Sequence, residues 1–191
     1  MARALNDHGR NVPDNILQKL PENGGVVMVT FVPSFLSPEV NAYDRRQSAE
    51  RTRLRGLYPN DSAKVDAELK TWAAANPEPR ATLGHVADHI DHIRKVAGID
   101  HIGIGSDFDG ITSVPVGLED VSTYPALTAE LLKRGYSDGD VKKVLGLNVL
   151  RAMRRAEEVA ARLQKEREPS TATIEKLDGT ATAAAQRIFD F

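Results

Sequence analysis

Two carboxylates follow a short apolar segment in the string HIGIGSDFDG, residues 101–110. The alternating apolar and small residues before Ser106 predict a buried strand, and the turn after it would present Asp107 and Asp109. A carboxylate at the end of such a strand can accept and return a proton or hold an ammonium group. Both residues could instead be turn formers or helix caps, and Asp109, beside Gly110, suits that structural role better. Asp107 is therefore the stronger candidate for a chemical role.

A second polar string, NDHGRNVPDN at residues 6–15, precedes a helix that we expect to begin near Pro13. Arg10 in this loop could bind a carboxylate with two parallel hydrogen bonds, because the guanidinium geometry matches the two carboxylate oxygens. Most loop arginines are simply solvated, so the residue type alone leaves both interpretations open. His8 is a weaker candidate for a functional group.

Three histidines, His85, His89 and His92, lie in the expected helix 82–97. Offsets of four and seven residues return to nearly the same helix face, and a pair four residues apart can chelate zinc. A separate apolar face of the same helix already explains its packing. We therefore favour a structural role for these histidines over a metal site. His101, at the start of the following strand, would lie at the end of the sheet opposite Asp107.

Composition excludes several classes of site. The 191 residues contain 25 basic and 27 acidic side chains, so no charge excess favours nucleic acid or an anionic membrane. The absence of cysteine excludes disulfides, thiolate metal sites and a cysteine nucleophile, so a metal would need His, Asp or Glu ligands. No run approaches the roughly 20 apolar residues of a membrane span, and polar residues follow Met1. As written, the chain is expected to be cytoplasmic.

The order of the predicted elements indicates an α/β fold with parallel strands. Apolar runs predict strands at 24–32 and 101–105, and helical patterns occupy 38–56, 62–75 and 82–97 between them. A closed (β/α)8 barrel needs eight strands and roughly 250 residues, so two strands cannot complete one. We therefore predict the C-terminal part of an incomplete, helix-rich (β/α)8 barrel of the TIM type.

Further helices are expected after the second strand. One lies near 126–134, a second is opened by Ser137 with a capping-box partner at Asp140, and a long amphipathic helix runs from Asn148 until Pro169. We assign residues 1–168 to the barrel domain, with a helical insertion at about 38–78. The remaining residues, 169–191, are expected to be a flexible or appended tail.

Several of these strings occur together in the order found in one enzyme family. The strings are ARAL, RNVPDNIL, GGVVMVTF, VADHIDHIRKVAGID, HIGIGSDFDG and GLEDVSTYPALTAELLKRGYSDGDV. Over roughly residues 2–155 the chain resembles the membrane (renal) dipeptidase family of binuclear zinc peptidases. The resemblance implies a (β/α)8 barrel in which two zinc ions share a bridging water or hydroxide that attacks the peptide carbonyl.

The resemblance also implies roles for two residues of this chain. Arg10 matches the arginine that binds the carboxylate of the dipeptide, and Asp107 matches the aspartate that contacts substrate and assists proton transfer. The family's zinc ligands all precede the position of Met1, so zinc is the expected cofactor although no metal ligand is expected in this chain. Thr30 departs from the family pattern, which has Asn there, and the stretch 38–78 is longer than in some members.

The expected function is that of the C-terminal, substrate-binding half of a zinc dipeptidase, inactive by itself. Its expected partners are a dipeptide and either the missing N-terminal half or further copies of itself. The insertion at 38–78 would be a lid or an oligomer contact. One alternative is a non-enzymatic fragment or subunit that binds a partner through the open edge of its barrel. Another is a small metal-binding protein that uses the histidine-bearing helix.

Overall fold

A two-stranded parallel sheet lies at the centre of the computed structural model, which describes residues 1–177. Strand β1 is Val27–Thr30 and strand β2 is Ile102–Ser106, and Val29 lies opposite Ile104. The prediction that the two strands are parallel neighbours is confirmed.

Strand β1 is shorter than the predicted run 24–32. The preceding residues end a short helix, and Gly24 closes that helix with a left-handed φ of 71°. Glycine adopts this conformation without the steric penalty that a side chain would bring, which is why it commonly ends helices. The apolar run therefore begins before the strand does.

Helices make up most of the described chain. They are α1 Asp14–Leu17, α2 Leu20–Asn23, α3 Pro33–Leu36, α4 Pro38–Leu57, α5 Ser62–Ala75, α6 Leu83–Ala97, α7 Tyr124–Lys133, α8 Asp138–Lys142, α9 Asn148–Glu166 and α10 Ile174–Leu177. Turns of 3₁₀ helix occupy Ile99–His101 and Val121–Thr123, and a π-helical turn occupies Lys143–Leu147. The predicted helices between the strands and after β2 are confirmed, with ends shifted by one or two residues.

Capping side chains fix where three of these helices begin. The Asp61 carboxylate accepts a hydrogen bond from the Lys64 N–H at 2.9 Å, which satisfies a backbone donor in the first turn of α5. Ser137 and Asp140 form the predicted reciprocal capping box of α8. At α6 the same arrangement joins Thr82 to a histidine, His85.

The main hydrophobic core forms where α6 covers one face of the sheet. Val86, Ile90 and Ile93 of α6 are fully buried in the same cluster as Val29 and Ile102. Burying one such side chain stabilises the fold by about 1.5–3 kcal/mol. This face of the sheet is therefore the covered one. Met28, on the alternate face of β1, remains 38% exposed.

The predicted helical insertion at 38–78 is a hairpin of α4 and α5 with a small cluster of its own. Leu54, Val65 and Leu69 are buried together, and Tyr58 and Trp72 pack against them. This cluster is separate from the main core, which the hairpin reaches through Val40 near the start of α4.

The chain divides into two compact units, Met1–Ala152 and a second that begins at Met153. The sheet and all the candidate site residues belong to the first unit. The predicted domain boundary near residue 168 stays a prediction, and the tail beyond Leu177 lies outside the described residues. Within residues 1–177, no helix is long and apolar enough to cross a membrane.

Candidate active site

A local irregularity at the end of β2 directs Asp107. Val29 pairs with Ile104 but Thr30 pairs with Ser106, so Gly105 is an extra residue in the ladder. Ser106 and Asp107 then take left-handed backbone conformations, with φ of 32° and 79°. Such conformations cost of order 1–3 kcal/mol for residues other than glycine and concentrate at functional sites. Bulges next to active sites re-aim a side chain in the same way.

Gly110 leaves space for the Asp107 carboxylate. Its N–H donates to the Asp107 carbonyl at 3.0 Å, which closes the turn. A Cβ atom on Gly110 would lie only 2.6 Å from Asp107 Oδ1. The close approach of the carboxylate to this turn therefore depends on glycine at this position.

An aromatic cluster fixes the turn against the sheet and α7. Phe108 meets Phe31, the residue after β1, edge to face with ring centroids 5.4 Å apart. Tyr124, the first residue of α7, lies 5.9 Å from Phe31 and 6.1 Å from Phe108. These separations are in the range at which aromatic pairs attract, so the residue after Asp107 is anchored.

The loop that carries Arg10 is attached to α3 and α4 by three buried asparagines. Asn11 Nδ2 donates to the carbonyls of Asn6 and Phe35, each at 2.9 Å. Asn6 Nδ2 donates to the Ser34 carbonyl at 2.7 Å, and Asn41 Nδ2 donates to Asn6 Oδ1 at 2.8 Å. Buried hydrogen bonds of this kind hold a loop in one conformation, since breaking one leaves a polar group unsatisfied.

Arg10 and His8 both pack on the ring of Phe35. The Arg10 guanidinium carbon lies 5.4 Å from the ring centroid, and the His8 ring lies 4.4 Å from it. The Arg10 N–H donates to His8 Nδ1 at 3.2 Å. Burial, followed by the charges of Arg45 and Arg10, lowers the pKa of His8 below its usual value. The imidazole is therefore neutral at neutral pH and can keep Nδ1 as an acceptor.

Arg10 and Asp107 belong to the same end of the sheet. The Arg10 loop contacts α3, which begins three residues after β1 ends, and Asp107 directly follows β2. In a parallel pair the carboxyl ends of the strands meet at one edge. A cavity of about 260 Å³ lies there, lined by Ser34 on the β1 side and by residues 110–113 on the β2 side.

Thr30 lies at the same edge with an unusual environment. Its hydroxyl is buried and has no hydrogen-bond partner among residues 1–177. An unsatisfied buried hydroxyl costs about 1–3 kcal/mol.

His89 is a structural residue in the core of the fold. Its Nδ1 accepts the Ala2 N–H at 3.0 Å, so Nε2 carries the proton and donates to the Leu36 carbonyl at 3.1 Å. Burial lowers the pKa of His89 to about 4. The neutral ring therefore ties the start of the Arg10 segment to the end of α3.

The other histidines of α6 are also engaged by protein groups. His85 Nδ1 accepts the Thr82 N–H at 3.0 Å, and His92 Nε2 lies 2.8 Å from Asp14 Oδ1. His101 lies at the opposite end of the sheet from Asp107, with Nδ1 2.7 Å from the Gly25 carbonyl.

These contacts bear on whether the chain could hold a metal ion. Among residues 1–177, no three His, Asp or Glu side chains converge in a way that could bind one. The donor set described here therefore does not fit a metal centre by itself.

Comparison with known proteins decides the family. Residues 1–167 match the sequence model of membrane dipeptidase, peptidase family M19. The chain belongs to the membrane dipeptidase family. Dipeptidase tcpJ of Claviceps purpurea is 36% identical over 160 residues, which are 84% of this chain and 29% of that relative. The chain therefore spans less than a third of the length of this family member.

Solved structures of the dipeptidase family agree with the fold. The probable dipeptidase PvdM from Pseudomonas aeruginosa is 36% identical with a TM-score of 0.62, covering 79% of this chain and 42% of its own. A metallopeptidase from Rhodobacter sphaeroides, liganded with a phosphinate mimic of L-Ala-D-Ala, is 27% identical with a TM-score of 0.53. That match covers 77% of this chain and 32% of the metallopeptidase. The family thus includes metallopeptidases, which implies metal use.

The sequence did not reveal several residues that build this candidate site. Asn6, Asn11 and Asn41 were not identified, because an asparagine in a loop or helix carries no signal for burial. The edge-to-face contacts around Phe31 were also missed. The one usable signal was the polar string 6–15, which contains two of the three asparagines.

Proposed function

We propose that this chain supplies the substrate-holding side of a dipeptidase. Arg10 binds the carboxylate of the dipeptide, and Asp107 holds its ammonium group or exchanges a proton with it. The observation that carries the proposal is that the Arg10 loop and the Asp107 turn lie at the same end of the sheet. A cavity of about 260 Å³ at this end is lined by Gly110 of the Asp107 turn and by Ser34, whose carbonyl accepts the Asn6 amide that holds the Arg10 loop.

We propose further that the two strands belong to a (β/α)8 barrel whose other strands come from polypeptide outside residues 1–177. Support comes from the parallel order of the strands and the carboxyl-end position of the candidate residues. The zinc ligands belong to that same outside polypeptide, and bound zinc would supply the attacking hydroxide. Among the described residues each strand of this two-stranded sheet also has one edge without a neighbouring strand, which favours the second candidate, a subunit that pairs with a partner through its open edge.

Replacing Arg10 tests the carboxylate site. In an NMR titration of the whole chain with Ala-Ala, Arg10→Ala should weaken binding by roughly 10-fold to 100-fold, because a charge-assisted pair is lost. Arg53→Ala is the matched control, since Arg53 is an exposed arginine of α4 that pairs with Glu50 instead. Equal affinities for wild type and Arg10→Ala would contradict the proposed role.

Replacing Gly110 tests whether the turn positions the carboxylate. In Gly110→Ala the new methyl group would displace Asp107 Oδ1, whose 2.6 Å separation is too short for contact. Because Gly110 is exposed and its backbone φ is not left-handed, we expect the free energy of unfolding to change by less than about 1 kcal/mol. Dipeptide affinity should nevertheless fall about as far as in Asp107→Asn. An unchanged affinity with an unchanged melting temperature would show that the position of the carboxylate is unimportant.

A further inference from the structure

Phe35 makes the contact that orders the Arg10 side chain. Within residues 1–177, the hydrogen bond that Arg10 forms comes from its backbone N–H, and its guanidinium makes no ion pair with any described carboxylate. The guanidinium instead packs 5.4 Å from the centroid of the Phe35 ring. An arginine with no fixed contact loses more rotamer freedom when it binds a ligand than one already held in place.

The ring itself is held firmly. The Phe35 carbonyl accepts the Asn11 amide at 2.9 Å, so the residue is attached at its backbone to the buried asparagines of the Arg10 loop. The His8 ring packs on Phe35 with centroids 4.4 Å apart. Phe35 is only partly buried, at the edge of the main core. The Phe35 side chain therefore connects the main hydrophobic core to the Arg10 guanidinium.

We propose that Phe35 is a positioning residue for Arg10, which holds the guanidinium by a cation–π contact in the orientation that receives the carboxylate of a dipeptide. The inference rests on the proposed function of Arg10. A cation–π contact fixes the plane and distance of a guanidinium without neutralising it, so both parallel hydrogen bonds stay available to the ligand. A carboxylate from the protein in the same place would compete with the ligand.

The readout is the ratio of affinities for Ala-Ala and for Ala-Ala amide, measured by NMR titration of the whole chain. The amide lacks the carboxylate, so this ratio isolates the Arg10 contact from the rest of the binding. Phe35→Leu keeps an apolar side chain but removes the aromatic face, and should lower the ratio by roughly threefold to tenfold. Affinity for the amide should stay the same. Phe35→Tyr keeps the aromatic face and should keep the wild-type ratio.

A double substitution shows whether Phe35 acts through Arg10. In an Arg10→Ala background, Phe35→Leu should leave the ratio unchanged, because the guanidinium that the ring positions is gone. Equal loss of affinity for acid and amide in Phe35→Leu would mean a structural role alone and would overturn the inference. A reduced ratio of acid to amide affinity in Phe35→Tyr would also overturn the inference, and so would a wild-type ratio in Phe35→Leu. A wild-type chain that does not distinguish acid from amide would overturn the proposed function of Arg10 together with this inference.

Discussion

The chain of 191 residues alone should leave Ala-Ala unhydrolysed, with or without added zinc. In their proposed roles Arg10 and Asp107 hold a substrate, but among residues 1–177 no side chains converge to bind the metal that would supply a nucleophile. Positioning a substrate does not provide the attacking group. The measurement is product formation by chromatography, alongside the zinc content of the purified protein.

Chelator-sensitive hydrolysis by the isolated chain would contradict this expectation. The metal would then be bound by residues that we assign to structure, and the histidines of α6 would be the first place to look. Substituting His85 and His92 separately would identify them, since each is only partly buried and both should fold when changed to Gln.

On the proposed barrel, adding a separately produced polypeptide that carries further strands and the metal ligands should give hydrolysis, if it closes the barrel. In that complex Asp107→Asn should lower turnover by about 10²–10⁴-fold, the usual contribution of a proton-transfer group. Arg10→Ala should mainly raise KM, because the carboxylate contact exists before and during reaction. Sedimentation of the mixture would show whether the two polypeptides associate. The proposed roles would be wrong if both substitutions changed turnover and KM alike.

A second large expected effect is that the free energy of unfolding depends on the protonation of His89. The folded pKa of about 4 lies below the usual 6.5, so the unfolded chain binds more protons between these values. The stability that the neutral His89 contributes is therefore fully present above about pH 6.5 and is lost progressively as the pH falls toward 4. The difference of about 2.5 units corresponds to about 3 kcal/mol. Urea unfolding at a series of pH values measures this loss directly.

Two variants separate the charge of His89 from its packing. His89→Gln cannot be protonated and should flatten the slope of unfolding free energy between pH 6.5 and 4. His89→Ala should lower the free energy of unfolding at pH 7.5 by about 2–5 kcal/mol, since it leaves a cavity and two unpaired backbone groups, Ala2 N–H and the Leu36 carbonyl. If wild type and His89→Gln show the same slope, another group is responsible for the acid sensitivity.

Sequence reasoning succeeded where local chemistry determines the structure. The cap at Asp61, the capping box at Ser137 and the two apolar runs around Val29 and Ile102 depend on neighbouring residues, so their elements were predicted to within a few positions. The roles of Arg10 and Asp107 came from resemblance to a family, and these roles stay predictions until the substitutions above are measured.

The features that orient those two residues could not be predicted, because they arise from contacts distant in sequence. The hydrogen bond between Asn41 and Asn6 joins residues 35 positions apart. Left-handed conformations are uncommon outside glycine, and although aspartate adopts them more often than most residues, no propensity indicates two in succession at Ser106 and Asp107. The environment of His89 depends on its contact with Leu36, which lies 53 residues away. The residue pattern of the helix that contains His89 does not predict this contact.

Because Gly105 is an extra residue in the ladder, the direction of the Asp107 side chain is not dictated by the register of the sheet. Side chains up to Ile104 must follow the alternation that keeps Ile102 in the core, whereas those after Gly105 begin a new alternation. The strand up to Ile104 therefore keeps the register that its core residues require, while the turn after it sets the direction of the candidate carboxylate. The turn is rigid for its own reasons, since Phe108 packs on Phe31 and Gly110 leaves room for Asp107, so the candidate site does not depend on the geometry of the strand to hold its carboxylate.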